Sequence, residues 1–205
     1  MKTIIYYFTG TGNTLAIVRG IAEELGDTKL IPLRRAMHPG GTAPAADAVG
    51  IAFPVYFLNM PGIVRQFVQN IRFEGNPYIF GIATCGEQPG GALFSLKTLL
   101  EEKGMTLSDG FAFVMPENYI GPIDLMGDAP HCQEKYAGAK NRIPAVAAAI
   151  RDRKLNLPEG SDSVILKIGG RISSTLATSV YNTPGRLHAT AACNHCGICG
   201  RICPT

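Results

Sequence analysis

The feature that most constrains this chain is a glycine-rich turn placed between an apolar strand and a helix. The β-branched and aromatic run from Thr3 to Phe8 predicts the strand, and apolar residues at helical spacing from Leu15 to Leu25 predict the helix. The turn between them reads Thr9-Gly10-Thr11-Gly12-Asn13-Thr14. A helix start offers unpaired N–H groups and a positive dipole end, and the threonines add hydroxyl donors. The segment therefore predicts an anion-binding loop.

The same loop lacks the features of the two commonest nucleotide-binding motifs. No lysine lies between Thr3 and Lys29, whereas a nucleoside-triphosphate loop ends in Lys followed by Ser or Thr. Leu15 stands where a dinucleotide fingerprint has its third glycine. A phosphate held only by hydroxyls and amides indicates a monophosphate bound without magnesium, of which FMN is the usual example. The alternative is an ordinary turn without a ligand.

Composition and charge exclude several classes of function. The chain has 205 residues, is 46% hydrophobic and carries a formal net charge of +3, which suits one full domain plus an appendage. Its basic residues are not interleaved with aromatic residues, so nucleic-acid binding is not expected. No apolar run is long enough to span a bilayer and no signal peptide is apparent. We therefore expect a cytoplasmic protein without a membrane span.

Four further apolar runs alternate with helical patterns along the first 150 residues and predict strands. They are Thr28 to Leu33, Val49 to Phe53, Tyr78 to Ala83 and Gly110 to Met115. Such alternation is typical of an α/β fold with a parallel sheet and helices on both faces. A last helix is predicted from Gln133 to Lys154, kinked or restarted at Pro144.

The loop after the third strand carries candidate ligand-binding residues, beginning with Pro54 and Val55. Tyr56 and Phe57 follow, and exposed aromatic rings can stack on a planar ligand such as a flavin. The alternative is that the two rings cap the core. Asn59 is expected to take the left-handed conformation that the sharp turn requires.

The loops after the fourth and fifth strands supply the remaining candidates. Glycine-rich backbone can approach a ligand closely, and the residues concerned are Thr84, Cys85, Gly86, Gly90 and Gly91. Cys85 is either redox-active or a small packed residue. In the next loop Tyr119 is the candidate, either as a ligand contact or as a loop anchor.

A run of four cysteines near the C-terminus predicts a metal site. Cys193, Cys196, Cys199 and Cys203, followed by Pro204, have the Cys-x2-Cys-x2-Cys-x3-Cys-Pro spacing of bacterial 4Fe-4S ferredoxins. The alternatives are structural zinc, which usually needs a second pair of ligands, and disulfide-bonded or free cysteines. Before this run, residues 155–162 read as a linker, and apolar residues every four positions from Val164 to Val180 predict a helix.

These motifs resemble two known families. The loop from Thr9 to Thr14 is similar to the phosphate loop of flavodoxins, a resemblance that extends to about residue 153, and the cysteine run is similar to half of a two-cluster ferredoxin. Together they resemble the flavodoxin-type ferredoxin oxidoreductases. The resemblance implies a doubly wound five-stranded sheet in the order 2-1-3-4-5. It also implies a flavodoxin-like domain over residues 1–154, a linker over 155–189 and a partial ferredoxin module over 190–205.

The resemblance further implies electron transfer between FMN and a 4Fe-4S cluster or a ferredoxin-type redox partner, without a catalytic acid or base. In two-cluster modules the fourth cysteine of each run binds the other cluster. The sequence ends at Thr205 with no second run, so we expect either that it is truncated and its cluster is incomplete, or that Cys203 is used differently. The alternative functions are FMN-dependent reduction of a quinone or nitro compound, and a zinc-binding module without redox activity.

Overall fold

The computed structural model of the protein describes residues 1–37, 42–117, 127–160 and 189–202. Seven strands and six helices follow one another in these ranges. In chain order they are β1 (Thr3–Tyr7), α1 (Asn13–Leu25), β2 (Thr28–Pro32), α2 (Leu33–Ala36), β3 (Thr42–Ala43), β4 (Ala48–Pro54), α3 (Gly62–Asn70), β5 (Arg72–Phe73), β6 (Tyr78–Cys85), α4 (Ala92–Glu101), β7 (Asp109–Val114), α5 (Ala129–Arg151) and α6 (Ile198–Ile202). None of these helices is long and apolar enough to cross a membrane.

Five parallel strands form the central sheet in the order β2-β1-β4-β6-β7. When only the five strands of this sheet are numbered, the order is 2-1-3-4-5, which confirms the prediction. β1 lies between β2 and β4, with Thr3 paired to Thr28 on one side and to Ala48 on the other. The chain therefore leaves β1 and β4 towards opposite faces of the sheet. In folds of this kind the resulting crevice at the carboxyl ends is where ligands bind.

Helices cover both faces of the sheet, as its apolar strands require. Adjacent residues of β1 point to opposite faces, since side chains alternate along a strand. Ile4 packs in one cluster with Val64 of α3, whereas Ile5 packs in the other with Ile17 of α1. β6 is buried along its whole length. The sheet is therefore the buried layer from which the connecting loops project.

The last long helix differs from the prediction at its start and at its proline. α5 begins at Ala129 rather than Gln133, because the Asp128 side chain accepts a hydrogen bond of 3.0 Å from the His131 amide and caps the helix. Pro144 lies inside a continuous helix rather than at a restart. The restart predicted at Pro144 is therefore wrong.

Two further segments were not anticipated as structured. α2 and β3 follow β2, and β3 pairs with β5 in a small second sheet. Residues 155–160, predicted as a linker, run beside β7. The amides of Asn156 and Glu159 donate to the carbonyls of Ser108 and Gly110, each over 3.0 Å. The helix predicted between Val164 and Val180 lies outside the described residues.

Candidate functional site

A cleft of about 880 Å³ opens at the carboxyl ends of β1, β4, β6 and β7. This volume lies within the range of small-molecule sites. Twelve of the residues selected from the sequence line it: Thr9, Gly10, Thr11, Asn13, Thr14, Pro54, Val55, Tyr56, Phe57, Thr84, Cys85 and Gly86. Four selected residues, Gly12, Asn59, Gly90 and Gly91, are not part of the lining, and Tyr119 lies outside the described residues.

The loop after β1 is held in shape by its own side chains. Gly12 precedes α1 with a φ of 103°, a left-handed conformation that favours glycine, and its amide donates to Thr9 Oγ1 over 3.1 Å. The buried hydroxyls of Thr14 and Thr84 are hydrogen-bonded over 2.8 Å, which joins this loop to the end of β6. No Lys, Arg or His is found among the described residues of the cleft wall. An anion here would be held by neutral donors.

Asn13 joins the same loop to the segment after β7. Its Nδ2 donates to the Pro116 carbonyl over 2.9 Å, across the mouth of the sheet. The side chain predicted to bind a cofactor is thus engaged in fixing the two ends of the cleft relative to each other. Pro116 itself also lines the cleft.

The turn after β4 is built differently from the prediction. Tyr56 and Asn59 exchange backbone hydrogen bonds of 2.9 and 3.0 Å, so Phe57 and Leu58 are the central residues of a tight turn. These two have φ values of 50° and 58°, whereas Asn59 has no positive φ. The prediction that Asn59 is the left-handed residue is therefore wrong. Asn59 is buried, and its Oδ1 accepts a hydrogen bond from the Met60 amide instead.

Tyr56 reaches back over the loop after β1. A Cβ added to Gly10 would lie 2.4 Å from the Tyr56 hydroxyl oxygen, so only glycine permits this approach. Tyr56 and Phe57 line the cleft and are 41% and 44% exposed, and the Tyr56 ring also lies edge-on against the buried ring of Phe8, with 6.3 Å between the ring centroids. Partial burial raises the pKa of Tyr56. Its hydroxyl is therefore protonated and available as a donor at neutral pH.

Gly90 and Gly91 contact the turn after β4 at Leu58. The Gly91 amide donates to the Leu58 carbonyl over 2.9 Å. Gly90 has a φ of 55°, and a Cβ on it would lie 2.6 Å from both Leu58 Cβ and the Leu58 carbonyl oxygen. The space that these glycines leave is occupied by the turn.

The end of the cleft formed by the loops after β6 and β7 contains carboxylates. Glu117 lies so close to Gly86 that a Cβ there would be 1.8 Å from its Oε1. Glu87 also lines the cleft. Cys85 is only 6% exposed, and burial, with Glu117 as a smaller contribution, raises the pKa of its thiol to about 12. The thiol is therefore protonated at neutral pH and is not an activated nucleophile.

Sequence reasoning missed part of the cleft wall. The additional lining residues are Leu58, Glu87, Gln88, Met115, Pro116 and Glu117. Glu117 carried a usable signal, because it follows a strand that ends at the same edge as the other loops. Leu58 carried none, since an apolar residue gives no indication that it will line a ligand site.

The structure describes three of the four cysteines in the C-terminal run. Cys193, Cys196 and Cys199 are exposed, and Cys203 lies outside the described residues. Within the described ranges, no three His, Cys, Asp or Glu side chains are grouped so as to hold a metal ion. Metal binding by this run remains a prediction from its spacing.

Comparison with known proteins supports the fold. A family model for the flavodoxin domain matches residues 4–87. An oxidoreductase from Corynebacterium diphtheriae superposes with a TM-score of 0.51 at 18% identity, covering 75% of this chain and 96% of its own. An FMN-dependent NADH-azoreductase from Bacillus anthracis superposes with a TM-score of 0.49 at 10% identity, covering 73% of this chain and 99% of its own. Megasphaera elsdenii flavodoxin superposes with a TM-score of 0.43 at 19% identity, covering 68% of this chain and 98% of its own. A search of curated proteins gave no match. The fold is flavodoxin-like.

Proposed function

We propose that this chain binds FMN in the cleft and transfers electrons between it and a redox partner. The observation that carries the proposal is the loop after β1, which presents hydroxyls and a helix N-terminus without a cation in the described wall. Such a site suits a monophosphate. The match of residues 4–87 to the flavodoxin domain supports the same ligand.

Each part of the cleft would have a separate task. Thr9, Thr11 and the amides near Gly12 would hold the phosphate, and the Tyr56 hydroxyl, which lies against Gly10, would add a donor at the same end. Phe57 would offer an apolar surface to the ring system. Bound FMN would supply one- and two-electron chemistry, so the protein needs to bind and orient it rather than to move protons.

We further propose that the cysteine run completes the electron path. Cys193, Cys196, Cys199 and Cys203 would ligate a 4Fe-4S cluster, for which their spacing is typical. The course of the chain supports this, because residues 155–160 run beside the start of β7 and Gly160 then lies against Pro89. Gly90, the next residue, adjoins Leu58 of the cleft wall. The partner would be a ferredoxin or another redox protein.

A second function is favoured by the exposure of the turn. Tyr56, Phe57 and Leu58 are each at least 37% exposed beside an open cleft. A planar organic acceptor such as a quinone or nitro compound would therefore be able to reach a bound ring system directly. On this reading the chain is an FMN-dependent reductase.

The test is the visible absorption spectrum of the anaerobically purified full chain, with flavin, iron, sulfide and zinc assayed on the same sample. Flavin together with iron and sulfide would support both parts of the proposal. Flavin without iron, with turnover of a quinone, would support the reductase instead. A colourless protein that contains zinc and does not take up added FMN would overturn the proposal.

A further inference from the structure

Lys135 of α5 is held against the loop that forms one end of the cleft. Its Nζ donates to the Gly86 carbonyl over 2.8 Å and is partly buried there. Gly86 and Glu87 both line the cleft. The peptide bond between them is trans, so the Glu87 N–H points in the direction opposite to the Gly86 C=O. Lys135 therefore orients a backbone donor in the cleft wall.

Glu117 approaches the same glycine from another side. Its carboxylate lies against the Gly86 Cα, in the space that any side chain at that position would fill. A cation and an anion thus flank one residue of the wall. Both charges act on the neighbouring Cys85 thiol, whose pKa is raised by Glu117 and lowered by Lys135. Lys135 consequently offsets the charge of Glu117 at this end of the cleft.

We propose that Lys135 is a positioning residue that fixes the Gly86–Glu87 peptide and raises the reduction potential of the cofactor by balancing Glu117. The inference rests on the proposed binding of FMN. Adding electrons makes the flavin more negative, and a nearby cation stabilises that change whereas a carboxylate opposes it. Removing Lys135 should therefore weaken binding of reduced FMN more than binding of oxidised FMN.

The experiment compares reduction potentials of the FMN-loaded full chain carrying Lys135→Met, Lys135→Arg, Glu117→Gln or Lys140→Met. Lys140 is an exposed lysine further along α5, so its variant removes the same charge from the same helix. For Lys135→Met we expect the ratio of reduced to oxidised affinity to fall about tenfold, which is about 30 mV for a two-electron couple. Lys135→Arg and Lys140→Met should stay near the unmodified chain, and Glu117→Gln should shift the potential upwards.

A second readout needs no cofactor. In the flavin-free chain, the NMR amide resonance of Glu87 should move in Lys135→Met and not in Lys140→Met. Equal potentials and equal Glu87 resonances in these two variants would overturn the inference. If the unmodified chain does not bind FMN, the proposed function fails, while the Glu87 comparison still decides whether Lys135 positions the peptide.

Discussion

At the scale of single residues, the cleft is defined by small and uncharged side chains that occupy fixed positions. Gly10 leaves room for the Tyr56 hydroxyl, and the Thr14 hydroxyl is hydrogen-bonded to the Thr84 hydroxyl at the end of β6. Neither contact adds charge. The loop therefore keeps the positive end of the α1 dipole as its main attraction for an anion.

Cys85 leads to a prediction about stability at high pH. Its thiol pKa is raised from 9.0 to about 12 in the folded chain. Between these values the unfolded thiol ionises while the folded thiol stays protonated, so stability present below pH 9 is lost as pH rises, by at most about 1.4 kcal/mol per pH unit. Urea unfolding of the unmodified chain and Cys85→Ala should show their difference in unfolding free energy shrinking from pH 9 to pH 11.

The comparison isolates Cys85 from other groups that titrate in the same range. Burial also raises the pKa values of Tyr6 and Tyr78, but these residues are the same in both proteins. A difference in unfolding free energy that stays constant from pH 7 to pH 11 would show that the Cys85 thiol is not shifted.

At the scale of elements, the turn after β4 shows what local sequence preference cannot reveal. Left-handed backbone costs about 1–3 kcal/mol at non-glycine residues, and asparagine adopts it more readily than most, so local preference favours Asn59. The structure instead places Phe57 and Leu58 there, because hydrogen bonds between Tyr56 and Asn59 and from Gly91 fix the turn. The Gly91 contact comes from a loop more than thirty residues away in sequence, so the local sequence does not disclose it.

Lys103 is predicted to stabilise the C-terminal end of α3. Its Nζ donates to the carbonyls of Val68, Gln69 and Ile71 over 2.7, 2.9 and 2.6 Å, which satisfies groups that a helix end leaves unpaired. Replacing it by methionine should lower the unfolding free energy by about 1–3 kcal/mol.

Lys97→Met provides the matched control for Lys103→Met. Lys97 pairs with Glu101 on the exposed face of α4, and such a pair contributes only about 0.3–0.5 kcal/mol. Chemical denaturation of both variants measures the difference. Equal losses would contradict the capping role of Lys103.

At the scale of the whole molecule, the segment after α5 closes the open edge of the sheet. Arg142 donates to the Ala112 carbonyl and to Glu159, and Glu159 Oε2 accepts from the Ala112 amide over 2.7 Å. These side chains thus form hydrogen bonds with the Ala112 amide and carbonyl on the edge of β7, where a further strand would otherwise pair. The same contacts hold the segment that leads to Gly160, which lies against Pro89.

Glu159→Ala is therefore predicted to free this segment. It would leave the Arg142 guanidinium without its carboxylate and the Ala112 amide without its acceptor, at a cost of about 1–3 kcal/mol. Limited proteolysis should then cut residues 155–160 faster than in the unmodified chain. Glu134→Ala, at an exposed position of α5, is the control. Cleavage at the same rate in both variants would show that Glu159 does not hold the segment.

The sequence predicts the features that come from a repeated pattern of strands and helices or from a local motif. Alternating strands and helices indicated the sheet and its layers, and the loop from Thr9 to Thr14 indicated the anion end of the cleft. Glu159, Lys135 and the β3–β5 pair were not predictable, because their partners are distant in sequence and no local pattern marks them.

The most direct test of the central claim is a calorimetric titration of the flavin-free full chain with FMN and, separately, with riboflavin. If the loop after β1 holds the phosphate, FMN should bind about a hundredfold or more tightly than riboflavin, the equivalent of two charge-assisted hydrogen bonds. Equal affinities would show that the phosphate is not bound by this loop. Failure to bind either compound would contradict the account of the cleft as a flavin site.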